Sequence, residues 1–369
     1  MDEPIICTII SKSYLPQARV LAKSFLSSHP GGRCYVLVVD ELEGHFEPKD
    51  QPFEVVRLAD LQIPELTSFK FKYGVVELCT AVKPYLLTFL LTTRKCTKVA
   101  YLDPDILILA PLSDLFGRLD DHEILLTPHV DKDYPDDGLT PDDSTLLRYG
   151  AFNLGFIGVR SSCNALAFLE WWQKKLFDKC LAAPEAGYFV DQRFVDIALS
   201  LFPGFGIVRD PGYNVAWWNL HARRVTRSAA DWLCNDGPLH FFHFSGFRPG
   251  DVELTRYPQT RCHLNDLPDL RVLCGEYSHL LVANGYEQAR TWPYSYDYFL
   301  SGARINREAR IRYRKLVREG RAPGDPFRSR SLQWVSFRSR VLRRITRPVR
   351  HWRTWLRGRR GTAPGPSRP

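Results

Sequence analysis

Two carboxylates lie two residues apart in an apolar stretch of the chain, and their spacing could hold a metal ion. Residues 98–111 read KVAYLDPDILILAP, with Asp103 and Asp105 on either side of Pro104. Side chains two apart in an extended segment point to the same face, so both carboxylates could share one cation. Oxygen ligands of this kind suit Mg²⁺ or Mn²⁺. The alternative, favoured for this motif on its own, is an Asp-Pro-Asp turn that joins two strands.

A histidine far along the chain could supply a third ligand. Residues 239–244 read LHFFHF and alternate as a strand does, and a Ser-Gly pair follows them. This pattern leaves His243 at the carboxyl end of the strand. A lone histidine in apolar surroundings is more often a core residue than a ligand. At the rim of a sheet, however, His243 would lie where a third ligand for a cation at Asp103 and Asp105 must come from.

A lysine and an Asp-Gln pair are further candidates. Lys83 precedes Pro84 in the apolar stretch 75–91, where the proline predicts a kink or break in a helix. Lys83 is either a solvated helix charge or a cation for phosphate. Asp191 and Gln192 open a predicted helix and could reach a bound substrate, although capping and the helix dipole also favour an acid there.

The elements that must position these side chains follow one another as in α/β proteins. Residues 5–10 predict a buried strand, the pattern from Leu15 predicts a helix, and residues 34–39 predict a second strand. This order indicates an α/β fold with parallel strands. Ligands bind at the carboxyl ends of such strands, so residues 8–12 and Asp40 would line one edge of a site. Further strands are predicted at 55–58, 123–127 and 152–159, and helices at 75–91, 165–180, 190–201, 266–281 and 304–319.

Composition is typical of a globular protein in a reducing compartment. The chain has 369 residues, of which 44% are hydrophobic and 25% charged. Its nine cysteines are scattered and never spaced as CxxC, so we predict reduced thiols and no structural zinc. The longest apolar run, 85–91, is too short to cross a bilayer, and the start lacks the basic region of a secretory signal. We therefore expect a cytoplasmic protein.

Three parts of the chain differ in composition. Strand signals end near residue 255, so we predict a sheet domain at 1–255, a helical extension at 256–325 and a basic tail at 326–369. The tail holds thirteen arginines and no acid or lysine; since the whole chain carries +9, residues 1–325 carry −4. Arginines among tryptophans and aliphatic residues predict peripheral contact of 328–360 with an anionic membrane. A disordered end ranks second, and nucleic-acid binding ranks last because the body has no such motif.

In the order of its motifs, the chain up to about residue 250 resembles the nucleotide-sugar glycosyltransferases of GT-A fold, most closely family 8. A DxD motif is common by chance, but several such elements in the family's order are not. The resemblance implies a Rossmann-like, mixed and mainly parallel sheet flanked by helices. It is carried by a strand and helix at 5–27, Lys83, a YLDxDxLV-like segment at 101–107, FNxG at 152–155, the pair Asp191-Gln192 and HFxG at 243–246.

The resemblance also implies roles for individual residues. Asp103, Asp105 and His243 would hold Mn²⁺ or Mg²⁺ against the two phosphates of a nucleotide diphosphate sugar. Asp191 and Gln192 would be the catalytic residues near the anomeric carbon and the acceptor. The residues that would bind the donor or other substrate groups are Thr8, Ser11, Lys83, Asp103, Asn153, Gly155, Gly246 and Arg248.

The implied function is metal-dependent transfer of a sugar, from a UDP-sugar in this family, to a saccharide or lipid-linked acceptor with retention. If Asp191 acts instead as a general base, inversion becomes possible. Such a hexosyltransferase would serve polysaccharide biosynthesis at the membrane. The chain departs from the family at two places. Ile9-Ile10-Ser11 stands where the family has an acid that helps to hold uracil, and Arg248 lies one position before the family's lysine. The alternatives are a non-catalytic nucleotide-sugar or glycan-binding protein on the same fold, and a pyrophosphorylase. The latter would need a glycine-rich loop that residues 10–13 lack.

Overall fold

The computed structural model describes residues 3–229 and 231–340, which form two compact units. The first unit comprises the described residues up to 69 together with 75–295, and the second comprises 70–74 together with the described residues from 296 onward. The predicted boundaries at 255 and 325 stay predictions. Of the predicted tail, residues 330–340 are helical, and residues 341–369 lie outside the described part.

The first unit begins with a strand, a helix and a second strand, as predicted. The strands are β1 Ile5–Ile10, β2 Arg33–Val38, β3 Glu54–Arg57, β4 Lys98–Leu102, β5 Ile106–Ile108, β6 Ile124–Pro128, β7 Phe152–Arg160, β8 Ala182–Ala183, β9 Tyr188–Phe189, β10 Phe205–Ile207, β11 Val225–Arg227, β12 Trp232–Cys234, β13 Gly237–Pro238 and β14 Phe241–His243. The helices are α1 Leu15–Ser28, α2 Leu66–Lys72, α3 Val75–Ala81, α4 Lys83–Thr92, α5 Ser113–Asp121, α6 Asp143–Tyr149, α7 Cys163–Lys179, α8 Gln192–Leu201, α9 Pro268–Ala283, α10 Tyr286–Ala289 and, in the second unit, α11 Arg307–Arg318.

A seven-stranded mixed sheet forms the centre of the first unit. Its strand order is β10-β6-β7-β4-β1-β2-β3, and β7 runs antiparallel to its neighbours β4 and β6 while the other pairs are parallel. All six side chains of β1 are buried, as expected for a central strand flanked by helices on both faces. The predicted fold class, a mixed and mainly parallel sheet flanked by helices, is confirmed.

The stretch 98–111 is two strands, and the prediction of one continuous strand is wrong. β4 pairs with β7 in the large sheet, whereas β5 pairs antiparallel with β14 in a separate two-stranded sheet. Because the two halves bond to different partners, the chain turns between them, and Asp103, Pro104 and Asp105 form that junction. The alternative of an Asp-Pro-Asp turn joining two strands is therefore correct for the backbone.

The predicted break at Pro84 is confirmed, because α3 ends at Ala81 and α4 begins at Lys83. The segment Val75–Thr92 nevertheless has the length and apolar composition of a membrane-spanning helix, and 56% of that window is buried inside the protein. Buried core helices of soluble proteins share both properties. The run 85–91, from which the sequence predicts no membrane span, lies within α4 alone, whereas α3 and α4 together reach the length of a span.

The second unit is built around one buried arginine. The guanidinium of Arg310 on α11 donates to the carbonyls of Phe71 and Tyr296 at 2.9 and 2.7 Å and to Asp297 Oδ1 at 3.0 Å. Aromatic rings pack against Phe71, with the ring of Tyr313 4.9 Å away. Only 5% of Arg310 is exposed, so its charge is compensated within this unit.

Candidate active site

Three side chains that could bind a metal ion converge where β4, β5 and β14 meet. Nε2 of His243 lies 3.2 Å from Oδ1 of Asp105 and 3.6 Å from Oδ2 of Asp103. One ligand atom from each of the three residues lies within 4.8 Å of the others. The His243 side chain is 3% exposed and the two aspartates 30% and 24%, so the carboxylates face an opening and the ring faces the core.

Strand pairing brings these residues together. β14 aligns His243 directly with Ile106, the residue after Asp105, and the Asp103 amide donates to the carbonyl of Gly155 at 2.8 Å. The two aspartates flank a turn rather than share a strand face, yet their carboxylates still converge. The predicted clustering of the three side chains is therefore present, although the backbone reason is different.

The donor set fits a divalent cation. Two carboxylate oxygens and one imidazole nitrogen are ligands that Mn²⁺ accepts, and Mg²⁺ accepts the carboxylates. Burial lowers the pKa of His243, but the carboxylates of Asp105 and Asp103 outweigh that effect and raise the pKa overall. A proton and a cation would therefore compete for the same position between the ring and the carboxylates.

Gly155 leaves room for the imidazole of His243. A Cβ at this position would lie 2.7 Å from Nδ1 of His243 and 2.6 Å from Oδ1 of Asn153. Distances below 3.0 Å are not tolerated by real Cβ atoms, so any side chain here would displace the ring. The backbone at this glycine is therefore approached closely, and the approaching group is the imidazole of His243.

Lys83 and Asp191 form a buried ion pair beside the carboxylate turn. The Lys83 ammonium lies 2.6 Å from Oδ2 of Asp191, donates to the carbonyl of Leu154 at 2.7 Å and lies 4.2 Å from the ring centre of Tyr101. Tyr101 in turn donates its hydroxyl to Oδ1 of Asp103 at 2.6 Å. Burial raises the pKa of Asp191, and the ammonium of Lys83 opposes that rise. The expectation of a solvated helix charge at Lys83 is wrong, because its side chain is only 2% exposed.

Comparison with known proteins places the chain in a family. No protein-family model matches it. Over 246 residues, 66% of this chain and 81% of the relative, it is 30% identical to YfnF of Bacillus subtilis (strain 168), described as an uncharacterized protein. The chain belongs to the YfnF family. YfnD of the same organism, described in the same way, is 26% identical over 251 residues, 65% of this chain and 76% of YfnD.

Solved glycosyltransferases have similar folds. The galactosyltransferase LgtC, solved in complex with donor and acceptor sugar analogs, is 17% identical with a TM-score of 0.41, covering 76% of this chain and 95% of LgtC. GlyE of Streptococcus pneumoniae TIGR4 is 15% identical with a TM-score of 0.43, covering 81% and 67%. The likeness of the YfnF-family protein to these enzymes is one of fold alone.

In this YfnF-family protein, both the NH₂ group and the oxygen of the Gln192 side chain form hydrogen bonds. Nε2 donates to the carbonyl of Tyr149 at 2.7 Å, and Oε1 accepts from the amide of Leu154 at 3.3 Å. Gln192 therefore links the start of α8 to the start of β7. Its predicted catalytic role, like that of Asp191, stays a prediction.

The edge formed by the ends of β1 and β2 contains an unexpected charge cluster. Lys12 is fully buried and donates to Glu43 at 2.7 Å and to Ser295 Oγ at 2.9 Å. The hydroxyl oxygen of Ser11 lies 3.0 Å from that of Ser13. The hydroxyl of Thr8 is buried and has no hydrogen-bond partner among the described residues. Thr8, Ser11 and Lys12 thus lie at the predicted edge, while the ion pair of the buried Lys12 with Glu43 was not predicted from the sequence.

The segment after β14 holds the last two predicted substrate residues. Gly246 has a φ of +78°, and a Cβ there would lie 2.6 Å from Oγ1 of Thr255, so glycine is required by the turn. Arg248 is exposed. Neither position conflicts with the predicted contact to phosphate, which stays a prediction.

Sequence reasoning missed Asn214, Thr127 and His129, which lie behind His243 together with the predicted residue Asn153. Oδ1 of Asn214 lies 3.2 Å from Nδ1 of His243, and its Nδ2 donates to Oδ1 of Asn153 at 3.1 Å and to Oγ1 of Thr127 at 2.8 Å. Nδ2 of Asn153 lies 3.4 Å from Nε2 of His129. In the sequence, Asn214 is part of an aromatic segment, 213–218, that gives no sign of this role. Its φ of +54°, which asparagine tolerates better than most residues, was the one local signal available.

Proposed function

We propose that this YfnF-family protein is a metal-dependent glycosyltransferase that moves a sugar from a nucleotide diphosphate sugar to a saccharide or lipid-linked acceptor. The observation that carries the proposal is the convergence of Asp103, Asp105 and His243 at the ends of three strands. Ligands of α/β proteins bind at such strand ends. The partial exposure of both carboxylates leaves the cation position open to a diphosphate.

A bound Mn²⁺ or Mg²⁺ would supply positive charge to offset the charge that develops on the departing diphosphate. The chain itself contributes the ion pair of Lys83 and Asp191, which fixes a carboxylate next to the turn at Asp103. Lys83 holds the Asp191 carboxylate in one orientation, and the proposed role of that carboxylate is to stabilise positive charge on a sugar ring. The side chains of the pair are 2% and 3% exposed, so water screens them weakly.

The finer features of the activity rest on the resemblance of the motifs. It supports a UDP-sugar as donor, a hexose as the transferred group and retention of configuration. Ser11 in place of an acid argues for testing other nucleotides alongside uridine. A role in polysaccharide biosynthesis follows from the same resemblance and from the proposed membrane contact.

A screen of nucleotide sugars tests the activity. Release of free sugar from UDP-, GDP-, CDP- and dTDP-sugars is measured with Mn²⁺, with Mg²⁺ and with chelator, and melting temperature is followed under the same conditions. We expect one donor to be hydrolysed slowly in the presence of metal, and Asp105→Asn to abolish this. Asp114→Asn is the matched control, because Asp114 is paired with Arg118 on the surface of α5.

Two outcomes would overturn the proposal. No nucleotide sugar is hydrolysed or transferred although Mn²⁺ and a nucleotide raise the melting temperature, which would identify a binding protein. Alternatively, Asp105→Asn retains the activity of the unmodified chain, which would place the chemistry elsewhere.

We further propose that the chain contacts the inner face of an anionic membrane through residues 328–360. In the described part of that segment, Trp334 and Phe337 are 57% and 65% exposed on a helix that also carries Arg338. Exposed aromatic side chains among arginines favour an anionic lipid interface, at about 1 kcal/mol for each cation near the surface. A cytoplasmic, peripheral location would follow.

Flotation with vesicles tests this contact. Vesicles of phosphatidylcholine with and without phosphatidylglycerol are mixed with the full chain at low and high salt. We expect binding that requires phosphatidylglycerol and weakens with salt, and a loss of binding in Trp334→Ser/Phe337→Ser. Leu300→Ser is the matched control, since Leu300 is 66% exposed. Equal binding to both kinds of vesicle, or no binding, would contradict the proposal.

A further inference from the structure

A series of neighbouring polar side chains connects the carbonyl of Gly150 to the candidate metal ligand His243. Nδ1 of His129 lies 2.7 Å from that carbonyl, and Nε2 of His129 lies 3.4 Å from Nδ2 of Asn153. Oδ1 of Asn153 then lies 3.1 Å from Nδ2 of Asn214, whose Oδ1 lies 3.2 Å from Nδ1 of His243. Asn214 is fully buried, and His129 and His243 are 8% and 3% exposed.

A backbone amide fixes the direction of these hydrogen bonds near the metal ligands. The N–H of Gly155 can only donate, and it lies 3.0 Å from Oδ1 of Asn153. The side-chain atom of Asn153 that faces Asn214 is therefore the oxygen, so Asn214 must donate to it through its NH₂ group. The oxygen of Asn214 is then left for Nδ1 of His243, and this contact is a hydrogen bond only if Nδ1 carries the proton.

A backbone carbonyl at the other end fixes the same direction independently. The carbonyl of Gly150 can only accept, so Nδ1 of His129 must donate to it. Nε2 of a neutral His129 is then an acceptor, as the NH₂ group of Asn153 requires. Burial lowers the pKa of His129 to about 4, in keeping with a neutral ring. The N–H of Gly155 and the carbonyl of Gly150 thus require the same set of donors and acceptors along this series of hydrogen bonds.

We propose that Asn214 is a positioning residue that holds the imidazole of His243 in the tautomer with the proton on Nδ1, so that the Nε2 lone pair faces Asp103 and Asp105. This inference rests on the proposed function in so far as the lone pair serves a cation. Ligating histidines in general donate their other N–H to a fixed acceptor, which sets the tautomer and the ring orientation. Asn214 is itself held, because Asn219 Nδ2 donates to its carbonyl at 3.0 Å.

Metal affinity of variants tests the role of Asn214. Free Mn²⁺ is counted by electron paramagnetic resonance during titration of the full chain. Asn214→Leu removes the acceptor for Nδ1, so we expect Mn²⁺ affinity to fall about 10- to 100-fold. Asn214→Asp keeps an acceptor oxygen for Nδ1 but loses the NH₂ group that Asn153 and Thr127 accept from, so it should recover part of that loss. Thr127→Val removes a different buried partner of Asn214, at 2.8 Å, without touching His243, so Mn²⁺ affinity should be unchanged.

Two results of the titration would overturn the inference. Asn214→Leu binds Mn²⁺ as tightly as the unmodified chain, or Thr127→Val loses as much affinity as Asn214→Leu, which would indicate a merely structural role. If Asn214→Leu does not fold, the nitrogen NMR spectrum of the unmodified chain decides, because a proton on Nε2 of His243 would refute the inference without any variant.

Nitrogen NMR of the histidine side chains reads the tautomer directly. Protein labelled with ¹⁵N-histidine is measured with saturating Mg²⁺, and the His243 signals are assigned by their absence in His243→Gln. We expect the proton on Nδ1 in the unmodified chain and a mixture of tautomers in Asn214→Leu. A proton on Nε2 in the unmodified chain would refute the inference. If the chain binds no metal, the proposed function fails, yet the tautomer is still read in metal-free protein at alkaline pH.

Discussion

The ammonium of Lys83 lies 2.6 Å from Oδ2 of Asp191, and both side chains are at least 97% buried. The two residues stand at the starts of α4 and α8, far apart in the chain. The pair therefore fixes two helix starts next to the carboxylate turn. Taking two charges out of water costs several kcal/mol for each ion, and the cost is offset only while both partners remain.

Loss of one partner should be far more harmful than loss of both. We expect Lys83→Met to lower the free energy of unfolding by about 3–5 kcal/mol, because Asp191 is left buried without a counter-charge. Lys83→Met/Asp191→Leu should recover much of that loss. Urea unfolding measures both, with Lys174→Met as control, since Lys174 and Glu170 are 71% and 66% exposed. Equal stability of Lys83→Met and Lys174→Met would contradict the proposed cost of the unpaired charge.

Gly155 should not tolerate alanine, whereas Gly158 on the same strand should. A Cβ at 155 would collide with the ring of His243, so we expect Gly155→Ala to cost about 1–3 kcal/mol of stability and to weaken Mn²⁺ binding. A Cβ at 158 would lie 3.4 Å from Cβ of Leu125, an ordinary contact, so Gly158→Ala should change stability by under about 1 kcal/mol. Urea unfolding and Mn²⁺ titration distinguish the two. The explanation fails if both alanines behave alike.

The hydroxyl of Tyr101 should contribute to metal affinity without contributing to the Lys83 contact. Tyr101→Phe keeps the ring beneath the ammonium but removes the 2.6 Å hydrogen bond to Asp103. We expect Mn²⁺ affinity to fall about 10-fold, because Asp103 loses the bond that orients it. Tyr213→Phe is the control, since the buried Tyr213 hydroxyl has no hydrogen-bond partner among the described residues. Unchanged Mn²⁺ affinity in Tyr101→Phe would show that the bond does not orient the ligand.

Stability should fall with acid at His29. Its Nε2 accepts from the amide of Leu112 at 2.9 Å, and its Nδ1 lies 3.1 Å from the carbonyl of Phe25, an arrangement of a neutral ring. Burial lowers the pKa of His29, with the Phe25 carbonyl opposing the change. As pH falls below about 6.5, His29 takes up a proton in the unfolded chain but stays neutral in the folded chain. The stability that His29 contributes is therefore lost between pH ~6.5 and the lowered pKa of the folded state.

The variant His29→Leu isolates this effect from those of other histidines. It leaves the Leu112 amide without its acceptor, which should cost about 1–3 kcal/mol above pH ~6.5. The cost relative to the unmodified chain should shrink below that pH, where the unmodified chain loses its advantage. Urea unfolding across this range measures the difference. A cost that is the same at all pH values would show that His29 does not titrate in the way described.

Much of the fold could be read locally. The six buried residues of β1, the helix from Leu15 and the break before Pro84 follow from apolar periodicity and from the missing amide of proline. The stretch 98–111 could not be read in this way. One apolar run is compatible with one strand or two, and the choice depends on whether its halves bond to the same partner.

The sequence by itself determined the α/β order of elements and the residue types that could bind a metal ion, because periodicity and motif spacing are properties of neighbouring residues. Only the tertiary structure decided that Asp105 meets His243, since the pairing of β5 with β14 joins segments more than a hundred residues apart. It also decided the partners of Lys83 and Asn214. A backbone N–H can only donate and a backbone carbonyl can only accept, so these groups set the direction of the buried hydrogen bonds. Here they are the N–H of Gly155 and the carbonyls of Leu154 and Gly150.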